Sequence, residues 1–547
     1  MPKILINEID RTSAGTPGDY SNNSVLICGF STRSNEEIIA AVKANPNVGY
    51  TLPDENGIFE FYSQNDFVDT IGKVPPVFTG DDMDDHVPAH YGNQMAYELL
   101  GQGYPSVIYL SLGKAPTTAK EVIDKLKTIG DADTWEIFKD KASYDFRFIT
   151  HGLLSAHETH NVTDAAAKKS AATDEVTARN EAYETAKNNN DAAKAAEGYN
   201  AETADAKTLQ KAEDDADKAL KAAQDRLAKA TAAYDYAADD CFTNSDFNDA
   251  NKVILNLATY KKQTEDYEAV PGTGRGDCVA LIEINEAKYV NDIAARPEAK
   301  ILTAAEEMSF ITAENGPYGT CVVPSVVYKL TADDAYGSNK KFPAAFHYLA
   351  CYKRMIDSDF AEWYAAAGYT RGVSSYTIDY TTVKLGEVAI QALEPRYKRP
   401  APYSYAMPFA VNVIANFRGS YYLWGNRTCN PLDDFAGGGD LTAHHFLNIR
   451  QLCSTIKKQL YVSCRRFTFD PNSDVLWINF CNSITPTLDR MKADQGVREY
   501  KIEKVYTDKK ATLRAKIRIV PIEAVEDFVL ELSLEDSLGD TAVTITE

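Results

Sequence analysis

The sequence predicts a multidomain chain of mixed α/β and α+β class with a helical hairpin inserted into it. Three observations lead there. Short apolar strands alternate with helical periods over residues 23–113 and again from about residue 278; an Ala-rich tract without proline separates the two blocks; and period-two alternation returns near the C-terminal end. At 547 residues, with 44% hydrophobic content, 32 Tyr and 22 Phe, the chain has ample material for several cores.

In chain order, Ile4, Ile6 and Glu8 alternate with Leu5, Asn7 and Ile9, which predicts a short strand. Ser13 to Gly18 follow, so residues 1–20 read as an extended arm whose strand is tethered flexibly. The segments SVLICGF, FEFYSQNDFVDTIG, HYGNQMAYELLGQG and SVIYLSL then predict an α/β unit. Cys28-Gly29-Phe30 lies outside any GxGxxG or GxxxxGK pattern and is read as a strand-to-loop transition.

Between Pro116 and Pro271 there is no proline, and residues 161–240 contain 26 Ala and one Gly. Helix propensity is therefore high throughout. Ala216, Leu220, Ala223, Leu227, Ala230, Tyr234 and Ala237 alternate by four and three, the pattern of a narrow coiled-coil seam. A weaker seam runs through Val176, Tyr183 and Ala186, and the reversal is placed at Asn188–Asp191 or at Gly198. This predicts a hairpin over 151–250 with modest stability, because Ala buries little area.

Residues 21–150 together with 251–330 are expected to form one α/β domain, 331–535 a second domain, and 536–547 another extended arm. The second block opens with the strand CVALIEI and continues through PYGTCVVPSVVYKL, a helix from Ala344 to Ile356, and the turn Gly368 to Gly372. From Gly419 to Trp477 the order reads strand, Gly-rich turn, amphipathic helix, second strand and a Pro turn that opens another helix. On the first of these helices Phe446, Ile449, Cys453, Ile456 and Leu460 share a face; Thr442 or Asp440 is the expected cap, and Lys457 and Lys458 are placed in the last turns. After Asp470-Pro471-Asn472 the next helix carries Trp477, Cys481, Ile484, Leu488 and Met491 on one face, with Pro486 expected to kink or shorten it. ATLRAKIRIV places Leu513, Ala515, Ile517 and Ile519 opposite Arg514, Lys516 and Arg518, FVLELSL repeats the alternation, and TAVTITE ends in a third strand.

Charge and cysteine content narrow the function classes. A formal charge of −22 argues against nucleic acid or an anionic membrane as the main partner, whereas residues 441–520 carry 15 Lys or Arg against 7 Asp or Glu. Nine scattered Cys, none in a CxxC pair, point to a reducing place of assembly. MPKILINEID lacks the apolar core of a signal peptide, and no run is long enough to span a bilayer. His157 and His160 in HETH are spaced by three rather than the four of HExxH, so they are read as ordinary polar residues, and the tripeptide Arg275–Asp277 as a turn. No nucleophile elbow, phosphate loop or metal constellation is found, and Ser155 lacks flanking glycines, so no enzyme, cofactor or metal is expected.

The ordered blocks AVNVIANFRGSYYLWGNRT, xNIRxLxxxIKKxL and RxFxFDPNxxxLW resemble the C-terminal domain of contractile tail sheath proteins, a family spanning bacteriophage sheaths and, more distantly, those of pyocins and type VI secretion systems. Asn412, Trp424, Gly425, Arg427, Arg465, Asp470 and Pro471 carry the match. The resemblance is weak over most of 1–113, good over 270–534, and absent from the insertion. It implies a sheath-type C-terminal domain, with a mixed or antiparallel sheet flanked by helices, and a structural subunit of a virion tail assembled in the host cytoplasm. Hexameric rings would stack helically around a tail tube, engage baseplate and terminator proteins, and contract to drive the tube through the host envelope. Ile4, Leu5, Ile6, Glu8, Val543 and Ile545 would exchange between subunits as strands, and Arg490, Lys492 and Arg498 would be candidates to face the tube. Rival readings are a bacterial contractile injection device and a non-sheath surface protein.

Overall fold

In a computed structural model of the chain, the described residues are 23–44, 57–76, 89–130, 136–138, 140–141, 143–154, 162–235, 244–260, 274–284, 308–329, 341–386, 390, 393, 409–431, 442–506, 512–522 and 524. The central element is an eight-stranded mixed sheet. Its strands are β1 (Val25–Ser31), β2 (Ile58–Phe61), β3 (Val107–Lys114), β4 (Phe148–Thr150), β5 (Val279–Ile282), β6 (Gly319–Val323), β10 (Asn412–Phe417) and β11 (Ser420–Trp424). The order is β11-β10-β6-β5-β4-β1-β3-β2; the six central strands run parallel, and the antiparallel β2 and β11 form the edges. Short strands β7 (Val326–Tyr328), β8 (Lys341–Phe342) and β9 (Ile378–Thr381) make a separate three-stranded sheet.

Because the sheet is covered on both faces, its strands are near-continuous apolar runs. One face carries Leu26, Ile108, Leu110, Ile149, Ala280, Ile282, Cys321 and Val413, packed against α4 (Ala119–Thr128) and α7 (Asn244–Ala258). The other carries Val25, Ile27, Tyr109, Phe148, Val279, Leu281, Val322 and Ile414, under α3 (Ala89–Gly101) and α8 (Ala344–Asp357), with α1 (Asn35–Ala44) and α2 (Gln64–Thr70) beside them. The sheet crosses the boundary expected at residue 331: β10 pairs directly with β6 in parallel, and the hairpin β10–β11 thereby extends the sheet of the first block.

The inserted tract is two helices, α5 (Val162–Ala195) and α6 (Ala204–Asp235). Of the two expected turn sites, the chain reverses at Gly198 (φ +88°), and Asn188–Asp191 stays helical. Register follows from three cross-contacts: Lys169 lies over the Tyr234 ring, Arg226 bridges Glu175 at 3.0 Å, and Asn190 donates to Gln210 at 3.0 Å and to Glu213. Among the described residues of the seam, Leu220 and Ala223 are buried. The hairpin ends before residue 244 rather than at 250, because Phe247, Ala250, Ile254 and Leu255 in α7 belong to the sheet core.

The short helix α9 (Gly368–Arg371) precedes β9, and beyond β11 the chain forms α10 (Leu447–Arg466), α11 (Asp474–Ala493) and the antiparallel pair β12 (Val497–Val505) and β13 (Arg514–Pro521). Three expectations are corrected here. No strand follows α10; the chain stays helical through Arg466, because Tyr461 and Val462 meet solvent and find no sheet to join. Pro486 sits inside α11 without ending it, and the buried stripe is Leu476, Phe480, Ile484, Leu488 and Met491, one residue ahead of the expected Trp477 and Cys481. Thr442 caps the 3-10 turn Ala443–His445, while α10 starts at Phe446 without a side-chain cap of its own. On β13 the alternation holds: Lys516 and Arg518 are exposed, and Ala515, Ile517 and Ile519 are partly covered.

Candidate assembly surface

The residues singled out in the WGNRT motif converge on the start of α10. Asn412, the first residue of β10, donates to Thr320 Oγ1 at 2.8 Å and to the Arg427 carbonyl at 2.9 Å, and accepts from the Arg427 amide at 2.8 Å. Gly425 has φ +126°, and a Cβ there would lie 2.6 Å from Asn412 Oδ1, so the position requires glycine. Arg427 is buried with its guanidinium over the Phe446 ring at 4.6 Å. Asn426, which sequence reasoning passed over, supplies the missing cap: its carbonyl accepts from the Leu447 amide at 3.0 Å and its Oδ1 from the Asn448 amide at 3.1 Å. The motif is thus a clamp on the N-terminus of a helix. Trp424 plays a different part, packing partly buried against Phe417 and Tyr369 on the edge hairpin.

From that clamp α10 runs across the sheet domain, and its polar residues make the contacts. Arg147, fully buried just before β4, donates to Glu362 at 2.6 Å, to Thr455 at 2.9 Å and to the Gln451 carbonyl at 3.5 Å. Gln451 donates to the Tyr348 hydroxyl at 2.6 Å. Lys458 is buried against Asp145 and the Phe146 carbonyl, with Asp277 at 4.0 Å. Lys457 donates to the Gly276 carbonyl at 2.8 Å. Both lysines therefore tie α10 to the body in mid-helix, two turns before its end, instead of answering the helix dipole.

The tripeptide Arg275–Asp277 forms the receiving side of this contact. Arg275 Nε and Asp277 are 3.0 Å apart, Arg275 also donates to the carbonyls of Phe138, at 3.1 Å, and Tyr144, and both side chains are buried. Burial alone would raise the Asp277 carboxyl, but Arg275 and Lys458 outweigh it and hold the group at about 2. Such a geometry serves packing and leaves neither charge for an external receptor.

Two places where a chemical site could sit are filled. Strand order reverses at β1, between β3 and β4, where open α/β sheets usually leave a ligand crevice. Here α3 closes it: a Cβ on Gly92 would lie 2.7 Å from the Cys28 carbonyl, and one on Gly152 would lie 2.6 Å from Gly92 Cα. Asn93 then donates to the carbonyls of Phe30 and Gly72 at 3.1 and 2.9 Å. On α8, His347 Nδ1 lies 2.6 Å from the Tyr328 hydroxyl and Nε2 lies 3.4 Å from Cys351 Sγ. Burial pushes the imidazole down to about 3 and the thiol upward, so both stay neutral, the opposite of an activated thiolate. Among the described residues no cluster of His, Cys, Asp and Glu could hold a metal ion, and no helix is long and apolar enough to cross a membrane. His157 and His160 lie outside the described residues.

At the far end of α10 the surface changes character. Phe469 is fully exposed at φ +78°, and Val475 and Ile478 on α11 are exposed beside it. Arg465, Asp470 and Pro471 are exposed in the same corner, Arg465 lying over the Tyr461 ring at 5.7 Å. Ser473 caps α11 by accepting from the Leu476 amide at 3.4 Å. Among the expected tube-facing residues, Arg490 pairs with Asp494 at 3.5 Å on the last turn of α11, while Lys492 and Arg498 are exposed on either side of the turn into β12. At the other end of α11, under the turn into β12, Trp363, Leu452, Ile456, Leu488, Met491 and Val497 form a small core, and Tyr500 donates to Asp489 at 2.5 Å. Among the described residues the β12–β13 sheet has two strands, so each long edge is without a strand neighbour. The expected exchange residues Ile4, Leu5, Ile6, Glu8, Val543 and Ile545, and the segment FVLELSL, lie outside the described residues.

No protein-family model and no curated protein matches the chain. Among solved structures, a chain of the anti-feeding prophage baseplate, determined by cryo-electron microscopy with six-fold symmetrisation, aligns with 98% of this chain and 99% of its own at 11% identity and a TM-score of 0.47. The sheath complex of an extracellular contractile injection system, PVC, in its contracted state aligns with 98% of each chain at the same identity and TM-score.

Proposed function

We propose that this protein is the sheath subunit of a contractile tail, polymerising helically around a tube and driving it through a cell envelope on contraction, with phage genome delivery as the task. The observation that carries the reading is the two-stranded β12–β13 sheet, held out on α11 with both long edges lacking a strand neighbour among the described residues. Such an edge is completed by adding strands, and main-chain hydrogen bonds join copies without demanding particular side chains. The alternating segments around Ile4–Ile9 and Val543–Ile545 are the strands we assign to it, each supplied by a different neighbour. That contact is heterologous and propagates as an open helix. With the arms as tethers, the bodies rotate and slide while the mesh stays joined, and the extended state is held by a kinetic barrier. Lys492, Arg498 and Arg490 at the α11–β12 corner are assigned to the tube side, with baseplate and terminator proteins bounding the array.

Negative-stain microscopy of the full chain beside a form lacking residues 1–9 tests this. Striated hollow tubes from the full chain, lost or shortened in the truncation, are the expected result. Monodisperse monomers from both, also in the presence of preformed tube, would rule it out.

A further inference from the structure

We propose that the cationic patch of Tyr318, Arg450, Lys457, Lys141 and His444 binds a small oxyanion, a carboxylate or a sulfate- or phosphate-like group. Two cations converge on one acceptor: Arg450 Nη2 donates to the Gly276 carbonyl at 2.6 Å and Lys457 Nζ donates to the same oxygen at 2.8 Å. Both also lie over the Tyr318 ring, at 3.9 and 5.6 Å. Arg450 is buried, and its Nε has no hydrogen-bond partner among the described residues. Immediately behind them Arg275 and Lys458 already engage Asp277 and Asp145, and Lys141 reaches Asp277 only at 3.9 Å. Arg275, Lys458 and Lys141 thus meet Asp277 or Asp145, whereas Arg450 and Lys457 meet the Gly276 carbonyl. His444 and Lys457 are exposed as residues, so the patch is open to solvent although the lysine ammonium turns inward.

The same surroundings act on Lys457. Burial of its ammonium, with Arg450 and Lys141 beside it and only Asp277 and Cys453 acting the other way, pulls it down to about 7. His444 is lowered as well, by burial and by Arg450, His445 and Lys457. An oxyanion seated between Arg450 and Lys457 would supply the missing negative charge and draw a proton onto Lys457. Affinity then rises as pH falls.

Calorimetric titration of the full chain with sulfate, which stays dianionic throughout, at pH 6 and pH 8 is the test. Saturable binding about tenfold tighter at pH 6 is expected, since a base near 7 changes from mostly charged to mostly neutral across that range. Lys457→Gln should weaken binding and flatten its pH dependence; Lys457→Arg should bind at both values. Competition by acetate would show that the site also takes carboxylates, and competition by phosphate but not by acetate would restrict it to dianions. No saturable binding of either class to the folded protein at pH 6, or an unchanged pH dependence in Lys457→Gln, overturns the proposal. No assembly is involved, so the result is independent of the sheath reading.

Discussion

The inserted hairpin and the docked helix α10 are both long, amphipathic by sequence, and built in opposite ways. α5 and α6 run 34 and 32 residues yet bury little beyond Leu220, Ala223, Ala206 and Asn190, because an Ala seam brings backbones together without removing much apolar area from water. α10 is 20 residues long, and Asn448, Arg450, Gln451, Ser454, Thr455 and Lys458 are buried on it alongside Leu452 and Ile456. The hairpin is held by a repeating pattern and α10 by individually placed polar contacts. A buried network fails when one partner is removed, since the remaining charge is left without its counter-group. An Ala seam fails gradually.

The largest effect should come from Arg147→Ala, which leaves Glu362 without its buried partner at 2.6 Å. A loss of about 3–5 kcal/mol is expected, read as a fall in the urea midpoint, with hydrogen exchange in α10 accelerating together with that of the sheet. If α10 alone lost protection, the helix would be an accessory and not part of the body. Next, Gly425→Ala meets both a left-handed backbone and the Asn412 side chain, and should cost about 1–3 kcal/mol by the same measurement. Acid should act on the same contact. Asp277 is held below its ordinary 3.8 at about 2, so its contribution is complete above pH 4 and disappears as pH falls toward 2. Asp277→Asn should therefore lack that segment of the acid-unfolding curve.

On the hairpin side, Leu220→Ala should destabilise by about 2 kcal/mol at most, and hydrogen exchange should place the loss within α5 and α6 and not in the sheet. Replacing residues 162–235 by a short flexible linker should have the smallest effect, leaving the urea midpoint of the sheet unchanged within error. A large drop would show that the insertion supports the body it leaves.

How much of this could be read in advance follows the same division. Residues 24–113 announce their strands and helices through apolar runs, and β1, α3 and β3 fall where those runs lie. The seam through Leu220 and Ala223 was legible because heptad spacing is local. Asn412, Gly425 and Arg427 were visible as a motif, but their shared task was not, since Asn426, the residue that caps α10, looks like any loop asparagine until the helix is docked. Lys457 and Lys458 were assigned to a helix end because the expected strand after them shortened the helix; only exposure of Tyr461 and Val462 shows that it continues.

The sequence by itself determined the α/β alternation, the inserted hairpin and its seam, and the amphipathic strand β13, because each is a periodicity carried by neighbouring residues. Tertiary structure alone decided that β10 completes one eight-stranded sheet with β6 and β1, that Arg275–Asp277 is a buried anchor, and that α10 is buried through polar side chains. Those outcomes depend on partners some 100 to 300 positions apart, such as Arg147 with Thr455 and Asn412 with Thr320, and no local pattern records which distant group will meet a buried charge.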